Sequence, residues 1–455
     1  MENKRGFYFK TLNNKYFYDD ITGNVSYTDS IDDTEINTSH EEYTEIYVTE
    51  EEVKELVQNS GTNQLILVVT ENCNLRCKYC VYSGEYDNSR VHKNNMMDLY
   101  TAKKAIYKYV ESVNLYRKKN ILFRPTIGFF GGEPLLNYNL ITESVKYANK
   151  IYEGKIYYTI TTNAMLLDDE KIDFFVKNNI FLVISLNGYK EENDRLRVSS
   201  NNIGTYDTII KNLELIYIKY PNYYKNNVSI SAVFDDGTDM FKLKKFFDNN
   251  ILVRNKLAVL SKVIDTHTNW YDQYSNEQKQ LYKEQIIELK QMFFNQIKNK
   301  EPINEFLKKL FLTPYITIMN RNLNQSIKEC KAPVQPFSGS CLPGIKVSVD
   351  YKGELHMCEK INSAIPIGTV DTWIDYKKVT TLLNRYNNYL GKYCNNCTIQ
   401  RLCPICYRDI VDNDGTFNLN NSEWCKNYIN NIKQGFSEIY SLLESGTKLS
   451  DFENV

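Results

Sequence analysis

Histidine is scarce in this chain: His40, His92, His267 and His356 are the only four, scattered over 455 residues. A histidine-built metal site is therefore not expected, and each imidazole is read as a surface group or a supporting neighbour. Charge imbalance is lacking as well. Fifty-five basic side chains face 56 acidic ones, so neither nucleic acid nor a membrane surface is expected as the main partner. No apolar run approaches the roughly 20 residues that span a bilayer. The opening Met1-Glu2-Asn3-Lys4-Arg5-Gly6 has no apolar signal region behind it, so export is not expected. Internal repeats at a solenoid period are absent too. Eleven cysteines is an odd number, which a purely disulfide framework would not favour. Reduced, metal-binding thiols in a cytoplasmic protein are the expectation.

What is present is ordinary for a globular protein, with 42% hydrophobic and 24% charged residues. The length predicts two or three domains. The 36 tyrosines are spread among Asn, Lys and Ile and are read as compositional bias. Short β-like runs open the chain at Gly6–Lys10, Lys15–Tyr18 and Val25–Tyr27, followed by an acidic linker with one helix at Glu50–Asn59. From Asn63 to about Val263 strands and helices alternate. The strands are Leu65–Thr70, Thr126–Phe130, Tyr157–Thr161, Phe181–Ser185, Val228–Val233 and Leu257–Ser261. Asp98 and Asp168 are placed to cap two of the helices between them. Six such units predict an α/β fold with a parallel sheet. Long helices are expected at 276–299 and 304–320, and a closing helix at 426–443. Beyond Cys330 helical periodicity fades among Gly, Pro, Asn and eight cysteines, which predicts a small metal-organised region with little apolar core.

Directly after the first strand runs Cys73-Asn74-Leu75-Arg76-Cys77-Lys78-Tyr79-Cys80, a C-x3-C-x2-C spacing. A cubane iron–sulfur cluster takes four thiolates. Three on one loop leave the fourth iron open, and an open position marks a site of chemistry. The alternative is three buried thiols or half of a zinc site. Phe129-Phe130-Gly131-Gly132-Glu133-Pro134 closes the second strand, Thr161-Thr162-Asn163 the third and Ser185-Leu186-Asn187-Gly188 the fourth. Glycines let a backbone approach a ligand closely, and a carboxylate beside an ammonium makes a charge-assisted hydrogen bond.

These segments resemble those of the radical S-adenosylmethionine (SAM) enzymes. The resemblance implies a partial (β/α)6 TIM-like barrel and an open iron that chelates SAM and cleaves it to a 5′-deoxyadenosyl radical. It implies Gly131, Gly132 and Glu133 at the SAM amino group, Thr162, Asn163 and Ser185 around it, and Asn187 toward the ribose. Asn187 stands where relatives commonly carry Asp. Arg197, from a segment resembling HD-x-x-R with Asn193 for His, is implied at the SAM carboxylate. Tyr79 is implied near the adenine.

The C-terminal cysteines resemble a SPASM domain with two auxiliary [4Fe–4S] clusters. By that pattern one takes Cys341, Cys358 and Cys406, with Cys330 as fourth ligand, and the other Cys394, Cys397, Cys403 and Cys425. Two residues separate Cys403 from Cys406 where relatives usually have three, so sharing of ligands could differ. A pair of zinc sites is the rival, since C-x2-C also binds zinc. The implied organisation is a β appendage and linker at 1–62, a radical SAM core at 63–263, a helical bridge at 264–329, the SPASM region at 330–425 and a closing helix at 426–455. The implied cofactors are three [4Fe–4S] clusters and SAM.

The motifs look closest to maturases of ribosomally made, cysteine-rich peptides, which implies sulfur-to-carbon thioether crosslinks of the sactipeptide or ranthipeptide kind. The expected partners are a precursor peptide and a reductant such as flavodoxin or ferredoxin. Glu359 is a candidate base or substrate-positioning group, with an exposed surface glutamate as the alternative. An anaerobic sulfatase maturase making formylglycine is a second enzyme reading. A metal-stabilised peptide-binding scaffold, with dispensable loop cysteines, is the non-enzymatic one. A full N-terminal peptide-recognition domain is not expected, because residues 1–60 offer strands but only one helix; a truncated recognition element in the β appendage, or a separate protein, is the expected leader binder.

Overall fold

The computed structural model describes residues 5–29, 35–37, 45–117, 123–321, 335, 337, 340–419, 422–448 and 452. Cys330 lies outside them. The chain opens with β1 (Arg5–Lys10), β2 (Lys15–Asp19), β3 (Val25–Tyr27) and β4 (Glu35–Asn37), an antiparallel sheet in the order β3-β2-β1-β4. A helix at Glu50–Ser60 follows, its N-terminus closed by a Thr49–Glu52 capping box.

The central sheet then begins with β5 (Gln64–Thr70), β6 (Thr126–Gly131), β7 (Tyr157–Thr162), β8 (Phe181–Ser185), β9 (Val228–Phe234) and β10 (Leu257–Lys262). Each pairs in parallel with its sequence neighbour. Residues Leu65 to Thr70 of β5 are all buried, the continuous burial of a strand covered on both faces. β7 and β8 alternate buried with half-buried positions. Asp98 and Asp168 cap helices as expected, accepting the Thr101 N–H at 2.7 Å and the Lys171 N–H at 3.0 Å. The six strands and their order agree with the sequence reading.

The sheet does not stop at the sixth unit. β11 (Lys346–Val349) pairs in parallel with the outer edge of β5, Lys346 opposite Gln64 and Val349 opposite Leu67. β12 (Glu354–His356), β13 (Gly368–Thr369) and β14 (Trp373–Ile374) continue from it as an antiparallel meander. The result is an open, mostly parallel ten-stranded sheet, not a closed barrel.

Two expectations for the C-terminal region need correction. A helix spans Tyr376–Cys394 and buries Val379, Leu382, Leu383, Tyr386 and Leu390, a regular i, i+3, i+4, i+7 stripe. Asp375 caps it. The region also has a substantial core: Val347, Val349, Leu355, Ile361 and Ile367 are buried, and they join the central hydrophobic cluster. The physical reason is β11, which makes this region a continuation of the sheet. No described helix is long and apolar enough to cross a membrane.

Candidate functional site

The cysteine loop leaves β5 at its C-terminal end and is sewn down along its length. The Arg76 N–H donates to Val198 O at 2.7 Å and the Lys78 N–H to Leu196 O at 2.9 Å, while Cys80 N–H donates to Cys77 O at 3.1 Å. Leu75 is buried between these anchors. Cys73, Cys77 and Cys80 are all half-buried. Burial pushes the Cys73 thiol up to about 12 and the Cys80 thiol up to about 11. Three thiolates held here call for a positive charge among them, which bound iron supplies.

The end of β6 is pressed against this loop. Gly132 N–H donates to Thr70 O, and Glu133 N–H to Asn72 O, both at 2.9 Å. A Cβ on Gly131 would stand 2.2 Å from Thr70 O, and one on Gly132 would stand 2.3 Å from Asn72 O. Only glycine fits this approach. Glu133 is almost fully buried. Its carboxylate accepts from Thr162 Oγ1 at 2.7 Å, Asn163 N–H at 2.7 Å and Leu135 N–H at 3.0 Å. Burial nevertheless raises its pKa. Glu133 thus ties the ends of β6 and β7 together. Asn163 in turn donates to Asn74 Oδ1 at 2.8 Å, inside the cysteine loop.

Tyr79, Asn187 and Arg197 meet across the loop. Arg197 Nη1 donates to the Tyr79 hydroxyl at 2.7 Å, and that hydroxyl donates to Asn187 Oδ1 at 3.3 Å. Asn187 Oδ1 also accepts from Val233 N–H. Asn187 Nδ2 and Arg197 Nε are buried without a hydrogen-bond partner. Buried donors left unpaired are costly, and they mark this point as one where a polar ligand fits. Ser185, at the end of β8, is half-buried.

The C-terminal thiols gather in two sets. Cys406 lies within electrostatic reach of Cys341 and Cys358, and both of those lie within reach of Lys346. Cys397, Cys403 and Cys425 form the other set, and Cys397 N–H donates to Cys394 O at 3.0 Å. Glu359 is not an exposed surface glutamate. It is buried and pairs with Lys346 Nζ at 2.6 Å. Burial works to raise its pKa, but the Lys346 ammonium overcomes this and holds it below the usual carboxylate value. The Glu359 carbonyl accepts from the Tyr82 hydroxyl at 2.8 Å and from the Arg90 guanidinium. Both donors follow Cys80 in the chain, so the first cysteine loop and the Cys358 segment are directly joined.

Residues 67–237 match the profile of the Radical SAM superfamily. This segment is a radical SAM domain. Over 190 residues the chain is 30% identical to a cysteine-type anaerobic sulfatase-maturating enzyme of Clostridium novyi (strain NT), covering 41% of this chain and 47% of that protein. It is 26% identical over 218 residues to the radical SAM cyclopropyl synthase TigE of Paramaledivibacter caminithermalis, covering 46% and 43%. The chain thus spans about half the length of the curated relatives it matches. The solved structure of native anSMEcpe with bound AdoMet shares the fold, with a TM-score of 0.60 over 83% of this chain and 99% of that one, at 18% identity.

The residues of the radical SAM domain fit the implied cofactors. The two orphan donors, Asn187 Nδ2 and Arg197 Nε, suit the polar groups of SAM beside the cysteine loop.

Three features of the radical SAM domain escaped the sequence reading. Asp235, at the end of β9, is fully buried and takes hydrogen bonds from Arg195, Trp270 Nε1 and the Tyr274 hydroxyl. His92 Nε2 stands 3.7 Å from Cys80 Sγ, with its Nδ1 facing Glu71 O. A cavity of about 500 Å³ opens beside Cys77, lined also by Arg76, Lys78, His92 and Trp270. That volume takes a small molecule or a short peptide segment. Only the position of Asp235 at a strand's C-terminal end was a usable signal.

Proposed function

We propose that this chain is a radical SAM enzyme that modifies a ribosomally made, cysteine-rich peptide, forming thioether crosslinks between cysteine sulfur and carbon. One observation carries the reading. Tyr82 and Arg90, just beyond the radical SAM cysteines, bind the carbonyl of Glu359, the residue after Cys358. The segment that follows the first thiol set is therefore tied directly to the segment that carries Cys358.

When bound and reduced, a [4Fe–4S] cluster on Cys73, Cys77 and Cys80 supplies the electron that cleaves SAM. The chain's own residues do the rest. Gly131 and Gly132 let the end of β6 pack on the cysteine loop, Glu133 locks β6 to β7, and Arg197 and Asn187 offer donors to the polar groups of SAM. Thr162, Asn163 and Ser185 complete the rim. Cys341, Cys358 and Cys406, with Cys330 as proposed fourth ligand, would hold one auxiliary cluster. Cys394, Cys397, Cys403 and Cys425 would hold the other. Glu359 has a lowered pKa and is a weak base, so substrate positioning suits it better than proton abstraction. A precursor peptide and a small electron-transfer protein such as flavodoxin or ferredoxin are the proposed partners.

Formylglycine formation on a sulfatase is the second reading, favoured by the sulfatase-maturating relative. The test is anaerobic reconstitution followed by reduction with SAM, reading 5′-deoxyadenosine. A cysteine-rich peptide and a sulfatase peptide are then supplied in turn. Thioether formation removes two hydrogens and one free thiol per crosslink. Deoxyadenosine formation that persists in a Cys73→Ala/Cys77→Ala/Cys80→Ala variant, or its absence from the wild type, would overturn the enzyme reading. Turnover of the sulfatase peptide alone would select the second.

A further inference from the structure

The four-stranded N-terminal sheet touches every element that carries a cysteine of the second C-terminal set. Its aromatic face, Phe7, Phe9, Tyr16 and Tyr18, packs on Phe436 and Tyr440, with ring centroids 4.7 to 5.5 Å apart. Those two rings belong to the helix Ser422–Glu444, which bears Cys425. The loop β1–β2 and Tyr16 gather on Glu444 near the other end of that helix, with Thr11 Oγ1 at 2.7 Å and the Tyr16 hydroxyl at 2.8 Å.

Asp20, just past β2, reaches the remaining cysteines. It is fully buried. Its Oδ1 accepts the Arg401 N–H at 3.1 Å, between Cys397 and Cys403, and the Tyr18 hydroxyl at 3.0 Å. Its Oδ2 pairs with Arg5 at 3.2 Å. Arg5 Nη1 in turn donates to Asn395 O at 3.2 Å, the residue after Cys394. The Arg401 side chain closes the circle on the carbonyls of Asp20 and Ile21. Asp20 is also close enough to Cys397 for its charge to act on that thiol.

We infer that the N-terminal sheet is a wall of the second cysteine set, and that Asp20 is the positioning residue holding the Cys394–Cys403 loop in its metal-binding shape. A sheet so engaged is part of a metal site and not a detachable peptide reader. The inference rests on Cys394, Cys397, Cys403 and Cys425 acting as one set. It does not rest on the chemistry proposed above.

The test uses full-length, iron-free protein pulsed with a thiol-alkylating reagent and read by peptide mass spectrometry. Asp20→Asn keeps an acceptor for Arg401 but strands the Arg5 charge; Asp20→Ala removes both, and Arg5→Met removes the partner. The expected result is alkylation of Cys394, Cys397, Cys403 and Cys425 faster by roughly five- to thirty-fold, a local opening. Rates at Cys73, Cys77, Cys80, Cys341, Cys358 and Cys406 stay near wild type. After reconstitution, bound iron in Asp20→Ala falls by about one third, one cluster of three. Unchanged alkylation, or an equal rise at all three thiol sets, would overturn the inference. Because the alkylation is read without iron, its failure would leave deoxyadenosine formation by wild-type protein untouched.

Discussion

The Tyr79 hydroxyl stands between Arg197 and Asn187, accepting from the first at 2.7 Å and donating to the second at 3.3 Å. One phenol oxygen thereby links two polar side chains of the site. Tyr79→Phe keeps the ring and removes that oxygen, leaving a buried guanidinium short of an acceptor. An unmade buried hydrogen bond to a charged group costs about 1.5–3 kcal/mol. The expected outcome is SAM binding weakened by roughly ten-fold or more, measured by calorimetry on the reconstituted protein, with bound iron unchanged.

Gly132→Ala tests the close approach of β6 to the cysteine loop. The new Cβ would meet a backbone carbonyl at 2.3 Å, and backbone cannot step aside as a flexible side chain can. The loop must shift as a unit. Iron content at the first cysteine set and SAM-dependent cleavage should both fall steeply, while the alkylation rates of the C-terminal thiols in iron-free protein stay near wild type.

Asp235 supplies a pH signature. Burial pushes its carboxyl up, but Arg195 and Tyr274 overcome that and hold it below its ordinary value of 3.8. A depressed carboxylate contributes stability above its unfolded pKa and loses it as pH falls through the lowered folded value. Asp235→Asn leaves Arg195 without this partner and should cost about 3 kcal/mol near neutrality, as broken buried pairs do. Urea titrations should show the gap between wild type and variant narrowing from about pH 4 downward. A constant gap would remove the carboxylate from the explanation.

Lys346→Met tests the tie between Glu359 and β11. It leaves Glu359 buried without its ammonium, so the midpoint of thermal unfolding should drop by several degrees. The double variant Lys346→Met/Glu359→Gln should recover much of that loss. Failure to recover would mean that Lys346 acts through packing and not through the pair.

Much of the fold was legible because it is local. The first six strands of the central sheet announce themselves as apolar runs, three of them ending in Gly, Thr-Asn or Ser, and the capping aspartates sit where helices begin. The pairing of Lys346 with Gln64 was not legible. Lys346-Val347-Ser348-Val349 alternates polar with β-branched residues but is only four residues long among Gly, Pro and Cys, and nothing local specifies a partner so far along the chain. The helix at Tyr376–Cys394 could have been read, since Val379, Leu382, Leu383, Tyr386 and Leu390 keep a regular helical stripe. The surrounding cysteines drew attention from it. At the site, the glycines and Arg197 were visible as motif positions. The burial of Glu359 was invisible, because its partner Lys346 belongs to a strand that only the tertiary fold creates.

The ladder between β11 and β5 has a mechanical meaning. Residue-by-residue pairing from Lys346–Gln64 to Val349–Leu67 leaves no hinge between the two ends it connects. Along the sheet their separation is set like marks on a ruler by that register. Any chain that must visit both places has to supply the suppleness itself, so a stiffened guest should be handled far more slowly than a floppy one.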